Sequence, residues 1–296
     1  MSYTSEFAEV NGVRIHYLHF ASDGPPILIV HGNTHCGGVY APLAEKLQPD
    51  FDVYAMDLRG HGLSAKADDY SWSALKSDVV GLIDALDLRD LLLVAHSRGG
   101  GASLLAAAAR PDRVRGVVGY EPNVPLQLWH EESPDERMAQ LVERARRRRD
   151  TFPDREAMFN HFKGRGAFTD WHDDYLHAFV EHGSVDAPDG TVTLASSTDV
   201  EAKMYLEIFT LTEWQQVHDC PVPVLSVYGA DGGRVTPGQD PAAAARQLFT
   251  HVEVQVQADS THSGPMEHPD VFEATVREFA ARIGTGNREQ GTGVRP

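Results

Sequence analysis

Hydrophobic and polar positions along this chain change period repeatedly, and the changes delimit its elements. The first is an alternating pair, Phe7 to Val10 and Val13 to Phe20, joined by Asn11-Gly12. Asn-Gly between alternating segments predicts a β-hairpin, because both residues tolerate the positive φ of the turn. After Asp23-Gly24-Pro25-Pro26 comes Ile27-Leu28-Ile29-Val30, an unbroken apolar run ending on His31-Gly32. Such a run suits a strand covered on both faces, as in a parallel sheet. Helical spacing follows over 39–47, a strand over 52–58, and a helix over 71–88. Next come a buried strand over 91–95, an Ala-rich helix over 99–110 stopped by Pro111, and a strand over 114–120.

The alternation then breaks. From Pro122 to about Asp219 the chain reads as mostly helical, charged and interrupted. Strand–helix order resumes with a strand over 222–228, a helix over 241–249, a strand over 252–256 and an amphipathic helix over 269–283. This pattern predicts an α/β protein with a doubly wound, mostly parallel sheet. Its core is expected over 1–121 and 220–284, with 122–219 as an inserted helical cap. Ligands bind at the carboxyl ends of such strands, so the insertion is expected to cover the pocket. The polar, Gly-rich stretch after Gly284 predicts a disordered tail over 285–296.

Composition narrows the functional classes. A net charge of −17 over 296 residues excludes the basic footprint of a nucleic-acid binder and attraction to anionic membrane. No apolar run reaches the ~20 residues of a membrane helix, and the first residues show no signal-peptide pattern. Two distant cysteines, Cys36 and Cys220, give neither a disulfide framework nor metal-ligand spacing, which fits a reducing cytoplasm. No HExxH and no dinucleotide-type glycine loop is present, so no metal or organic cofactor is implied. The expected partner is a small-molecule substrate.

The chemistry centres on Ala95-His96-Ser97-Arg98-Gly99, directly after an apolar strand and before a helix. A tight strand-to-helix turn needs small residues two before and two after its serine, and it exposes the hydroxyl at a helix N-terminus. The competing reading of Ser97 is an ordinary helix N-cap. With His31-Gly32, Asp57-Leu58-Arg59-Gly60-His61-Gly62-Leu63-Ser64, an acid after a late strand and a His before the last helix, the chain resembles the α/β-hydrolase superfamily over roughly residues 7–284. That resemblance implies Ser97 as nucleophile and, from fifteen histidines, His262 as base, since it lies between the last strand and the last helix. His268, against Pro269, is the competitor. His251 is read as solvated.

The imidazole needs a carboxylate to fix its tautomer. Asp231, in Tyr228-Gly229-Ala230-Asp231, holds the commonest family position and is favoured. Glu121, 24 residues after Ser97, is the alternative; the chain resembles zearalenone lactonases in that spacing. For the oxyanion hole the resemblance implies the backbone N–H groups of Arg98 and Asn33, with the Asn33 amide as a further candidate, as in haloalkane dehalogenases. A serine attacks carbonyl carbon, which demotes dehalogenase and epoxide chemistry. Fluoroacetate dehalogenases carry an Arg directly after their nucleophile. By that resemblance Arg98 is a candidate carboxylate holder, with packing against the loop an equal alternative. His35, Cys36 and Trp129 are candidate pocket residues, and the other insertion aromatics are expected mainly to form a core of their own. The arginines at 144 and 146–149 are read as a solvated helix face, with an anion-binding patch as the alternative. The expected activity is hydrolysis of an ester or lactone of a small to medium apolar molecule. The alternatives are a cyclase, lyase or C–C bond hydrolase on the same scaffold, and a triad-bearing ligand receptor.

Overall fold

The computed structural model describes residues 3–123, 134–207, 211–231 and 249–289. Its main sheet runs in the order β1 (Thr4–Val10), β2 (Val13–Phe20), β4 (Asp52–Met56), β3 (Pro26–Val30), β5 (Leu91–His96), β6 (Val114–Tyr120), β10 (Val224–Gly229), β11 (Val252–Gln257). The predicted hairpin β1–β2 is antiparallel and joins β4 antiparallel; every pair from β4 to β11 is parallel. The doubly wound, mostly parallel sheet is therefore present.

Burial explains the unbroken apolar runs. Leu28 and Val30 of β3 and Leu91 and Leu93 of β5 enter one core, with α2 (Trp72–Ala85) and α3 (Ser97–Ala109). Ile27, Ile29, Leu92 and Val94 enter the other, beneath α1 (Ala41–Leu47) and the final helix (Pro269–Glu289). Alternate residues of one strand thus meet different helices, and neither face tolerates a polar side chain.

Between β6 and β10 lie α4 (Pro134–Arg147), β7 (Thr151–Phe152), α5 (Arg155–Phe162), α6 (Asp173–His182), β8 (Ser184–Asp186), β9 (Val192–Leu194), α7 (Thr198–Leu206) and α8 (Leu211–His218). Three findings differ from the expected pattern. The segment carries a small antiparallel sheet, β7-β9-β8, whose strands of two and three residues are too short to show alternation. Its aromatics do not build a separate core: Phe152, Phe162, Trp171 and Phe179 join the same cluster as Val94 and Phe272. The final helix continues through Glu289, past the expected start of the tail; residues 290–296 lie outside the described residues, as does most of the helix expected over 241–249.

Candidate active site

Ser97 occupies the turn between β5 and α3 with φ +51, a left-handed conformation that a serine adopts only where the surroundings enforce it. The close approach that Gly99 permits is visible. A Cβ there would lie 2.2 Å from the Val30 carbonyl oxygen and 2.4 Å from that of His31. The helix start thus rests directly on the end of β3. A Cβ on Gly32 would similarly lie 3.2 Å from Ser97 Cβ, so the loop after β3 passes beside the serine. Ser97 is buried; its hydroxyl lies 3.4 Å from Asn123 Oδ1, and its carbonyl accepts from Asn123 N–H at 2.8 Å.

The carboxylate at His262 is Glu121, not the favoured Asp231. Glu121 Oε2 sits 2.6 Å from His262 Nδ1, and Oε1 accepts from the Gly229 N–H at 3.2 Å. The reason lies in the strand register. His96 pairs with Tyr120 across β5 and β6, so Ser97 and Glu121 are the next residues on adjacent parallel strands. Both turn left-handed there, with φ +51 and +41. The 24-residue spacing is therefore one step sideways in the sheet. Asp231 lies two residues beyond the end of β10 in an exposed turn, its N–H bonded to Ser260 O at 2.9 Å. Gly229, at that strand end, donates to Glu121 instead. His262 is also held through its carbonyl, which accepts from His96 Nε2–H at 2.8 Å. His268 Nε2 bonds the Asp259 carbonyl at 2.8 Å, a structural contact, and His251 is exposed.

The loop after β3 is fixed from beneath. His31 Nε2 accepts from the Leu58 N–H at 2.9 Å, so its proton is on Nδ1, which donates to Gly32 O at 2.7 Å. Burial holds this imidazole below its ordinary pKa, and it is neutral. Beneath it, Asp57 accepts from Gly37 N–H at 2.7 Å, Leu63 N–H at 2.8 Å and His16 Nδ1 at 2.7 Å. Burial raises the Asp57 pKa; the hydrogen bond and charge of His16, with His31 and the Leu63 N–H, together outweigh it and hold the carboxyl low. Arg59 clamps Asp78 with two 2.6 Å bonds. The 57–64 motif thus braces the site and supplies no reacting group. His61 is fully buried, and burial pushes its pKa down to about 3.

Asn33 and Thr34 complete the loop. The Asn33 amide is engaged: Oδ1 faces His61 Nε2 at 3.2 Å and accepts from Thr34 N–H at 3.2 Å, while Nδ2 donates to the Glu201 carbonyl at 3.3 Å. The side-chain amide is therefore not the spare donor considered from sequence, which leaves the loop's backbone. Thr34 has φ +78, and its hydroxyl donates to Glu201 Oε1 at 2.8 Å. Glu201, in α7, also meets Arg148 at 2.8 Å in a charge contact. Arg148 therefore turns inward, unlike the solvated face expected for the arginine run. Nothing in the sequence flagged Glu201; an isolated acid in a short helix carries no signal.

Arg98 is 3% exposed. Its guanidinium lies over the Trp72 ring, 4.5 Å from the centroid, and Nη2 donates to the Met204 carbonyl of α7. Among the described residues Nε and Nη1 have no hydrogen-bond partner. Burial lowers its pKa to about 10, which leaves it charged at neutrality. His35 is buried against His96, Trp171 and Phe179, and burial, with the neighbouring histidines, holds it well below its ordinary pKa. Burial raises the Cys36 thiol well above its ordinary value, leaving an inert wall residue. Trp129 lies outside the described residues. Among the described residues no three His, Cys, Asp or Glu side chains converge as a metal site, and no helix is long and apolar enough to cross a membrane.

Known proteins are similar to this chain in sequence and in fold. The chain is similar to 2-(acetamidomethylene)succinate hydrolase of Mesorhizobium japonicum, 41% identical over 99 residues, 33% of this chain and 36% of that protein. It is similar to N-formylmaleamate deformylase of Pseudomonas putida, 34% identical over 116 residues, 38% and 43% of the two chains. The matched stretches thus span well under half of these curated relatives. The solved structure of E-2-(acetamidomethylene)succinate hydrolase superposes with TM-score 0.78 at 26% identity, covering 94% of this chain and 99% of that one. The pattern of the α/β hydrolase fold matches residues 25–269, and the chain belongs to that family.

Proposed function

We propose that this protein is a serine hydrolase of carboxylic esters or lactones, with Ser97, His262 and Glu121 as its triad. The observation that carries this reading is the 2.6 Å contact of Glu121 Oε2 with His262 Nδ1 beside the left-handed Ser97 turn. The carboxylate keeps the proton on Nδ1, which leaves Nε2 free to act as the base. Ser97 Oγ attacks the carbonyl carbon and its proton passes to His262. The oxyanion is met by the backbone N–H groups of Arg98, at the start of α3, and of Asn33. Collapse expels the alcohol, protonated by His262, and leaves an acyl-Ser97. Water, deprotonated by the same imidazole, then releases the acid.

Arg98 extends the reading to the substrate, as the holder of a carboxylate. A buried guanidinium is costly unless paired, and among the described residues this one hydrogen-bonds only a backbone carbonyl, with an aromatic face beneath it and no carboxylate in an ion pair. Arg59, equally buried at 3%, is clamped by Asp78. The contrast supports a ligand anion as the missing partner of Arg98, with the inserted segment as a cap over it and with His35 on the pocket wall. A second reading, cleavage of an amide C–N bond, is favoured by the names of the two relatives above, a hydrolase of an acetamido compound and a deformylase.

The test has two arms. Mass spectrometry after fluorophosphonate treatment is expected to find the adduct on Ser97. Monoethyl succinate is expected to be hydrolysed about tenfold or more faster, in kcat/KM, than diethyl succinate, the preference collapsing in Arg98→Met. An unlabelled Ser97 refutes the nucleophile, and equal rates on the two esters refute the carboxylate role. Hydrolysis of the matching mono-amides in place of the esters selects the second reading.

A further inference from the structure

The inserted segment hydrogen-bonds the loop after β3 at two adjacent residues. Glu201 is 6% exposed and makes both contacts itself: its carboxylate accepts from Thr34 Oγ1 at 2.8 Å, and its carbonyl accepts from Asn33 Nδ2 at 3.3 Å. Thr34 is a β-branched residue at φ +78, a conformation such a residue holds only when its surroundings impose it. Two side-chain bonds are therefore aimed at the most strained residue of the loop and at its neighbour. The carboxylate is in turn fixed from the insertion side. Arg148 lies 2.8 Å from Oε2, and the Tyr205 hydroxyl is 3.5 Å from Oε1.

The opposite side of the loop is held by the core alone, through His31 to Leu58 and His61 to Asn33 Oδ1. Those bonds grip Asn33 and Gly32. The Thr34 side chain is gripped from α7, by the Glu201 carboxylate and by a hydrogen bond with Tyr205. A loop pinned at one end can rotate its peptide planes about the other, and an oxyanion donor misaimed by a fraction of an ångström loses most of its effect.

We infer that Glu201 is a positioning residue, fixing the loop that carries the Asn33 N–H through its bond to Thr34. The oxyanion hole is thus completed only when α7 is docked. Arg148 acts one step further out, as the counter-charge that keeps the Glu201 carboxylate buried and directed at the loop. The inference rests on the hydrolase reading for what the N–H does, but not for how the loop is held.

Removing a bond that matters in the transition state lowers kcat and leaves KM nearly unchanged, whereas a packing defect moves both. Thr34→Val deletes the hydroxyl at constant shape and is expected to lower kcat roughly 10- to 100-fold, a part of what a lost oxyanion donor costs. Glu201→Ala is expected to match it, and the double variant to lose no more than either alone. Glu201→Gln, which keeps an acceptor oxygen for Thr34, is expected to recover most of the rate. Affinity for a boronic acid transition-state analogue is expected to fall in step with kcat/KM. A Thr34→Val enzyme with wild-type kcat and wild-type analogue affinity overturns the inference, as does simple additivity in the double variant.

Hydrogen exchange separates this failure from failure of the hydrolase reading. The amides of residues 32–35 are expected to exchange faster in Thr34→Val and Glu201→Ala than in the wild-type chain, whether or not any ester is turned over. Unchanged exchange there overturns the inference even if fluorophosphonate labels Ser97. Faster exchange with an unlabelled Ser97 supports the positioning role and removes the hydrolase reading.

Discussion

Two sides of Ser97 are built on different terms. On the side of β6 the carboxylate of Glu121, the ring of His262 and the carbonyl of His262 are tied to strand ends and to each other. Those positions follow from register, and none of these three bonds involves the insertion. On the side of α7 the loop is met by Glu201 and Arg98 by Met204, with Arg148 paired to Glu201, all three from the inserted segment. There the charges do not close: Arg148 has Glu201, while Arg98 keeps two nitrogens without a protein partner among the described residues. In the proposed mechanism the acid–base groups belong to the sheet, and the groups that would recognise a substrate belong to the junction with the insertion. A scaffold so divided can change its substrate without disturbing its triad.

The first way to break this comparison is Ser97→Ala, which removes the group both sides serve. Turnover of whatever ester proves active is expected to fall roughly 10⁴-fold or more, with the fold intact by circular dichroism. Residual turnover within tenfold of wild type places the chemistry elsewhere.

The next contrast is thermodynamic and sets two buried arginines against each other. Arg59→Met strands the Asp78 carboxylate, which is fully buried, and is expected to cost about 3–5 kcal/mol in urea unfolding. Arg98→Met strands no charge and is expected to change stability by about 1 kcal/mol or less. Comparable losses in both variants mean that Arg98 is a structural ion after all.

A further contrast is that of pH. His61 is buried and neutral, with its pKa pushed from the ordinary 6.5 to about 3. The unfolded chain takes up that proton below about pH 6.5 and the folded chain does not, so the contribution is full above pH 6.5 and declines as pH falls. Between pH 7 and pH 5 this one group removes about 2 kcal/mol. His31 and His35, shifted in the same direction by burial, add to it. A melting temperature that stays level from pH 7 to pH 5 contradicts the neutral histidine cluster.

Much of this architecture is legible in the chain itself. The apolar runs announce the parallel strands because both faces of the sheet are covered, and the small residues around Ser97 announce a tight turn because a Cβ at Gly99 has no room. The choice between Glu121 and Asp231 was not legible. It depends on the β5–β6 register, which places Glu121 beside Ser97, and on a left-handed turn at Glu121 that no propensity predicts. Arg148 and Glu201 were missed for a related reason. They are 53 residues apart in sequence, and only the packing of α4 on α7 makes one the counter-charge of the other. Local pattern identifies the elements; which charges meet is decided by how those elements dock.

The most direct measurement compares the rate of fluorophosphonate labelling at Ser97 in Glu121→Gln and Asp231→Asn, a readout that needs no knowledge of the substrate. Labelling is expected to slow by roughly 10²- to 10⁴-fold in Glu121→Gln, where the His262 tautomer is no longer fixed. In Asp231→Asn it is expected to stay within about threefold of wild type, as for an exposed turn residue. Slow labelling in Asp231→Asn with a near-normal rate in Glu121→Gln would contradict the triad as built here.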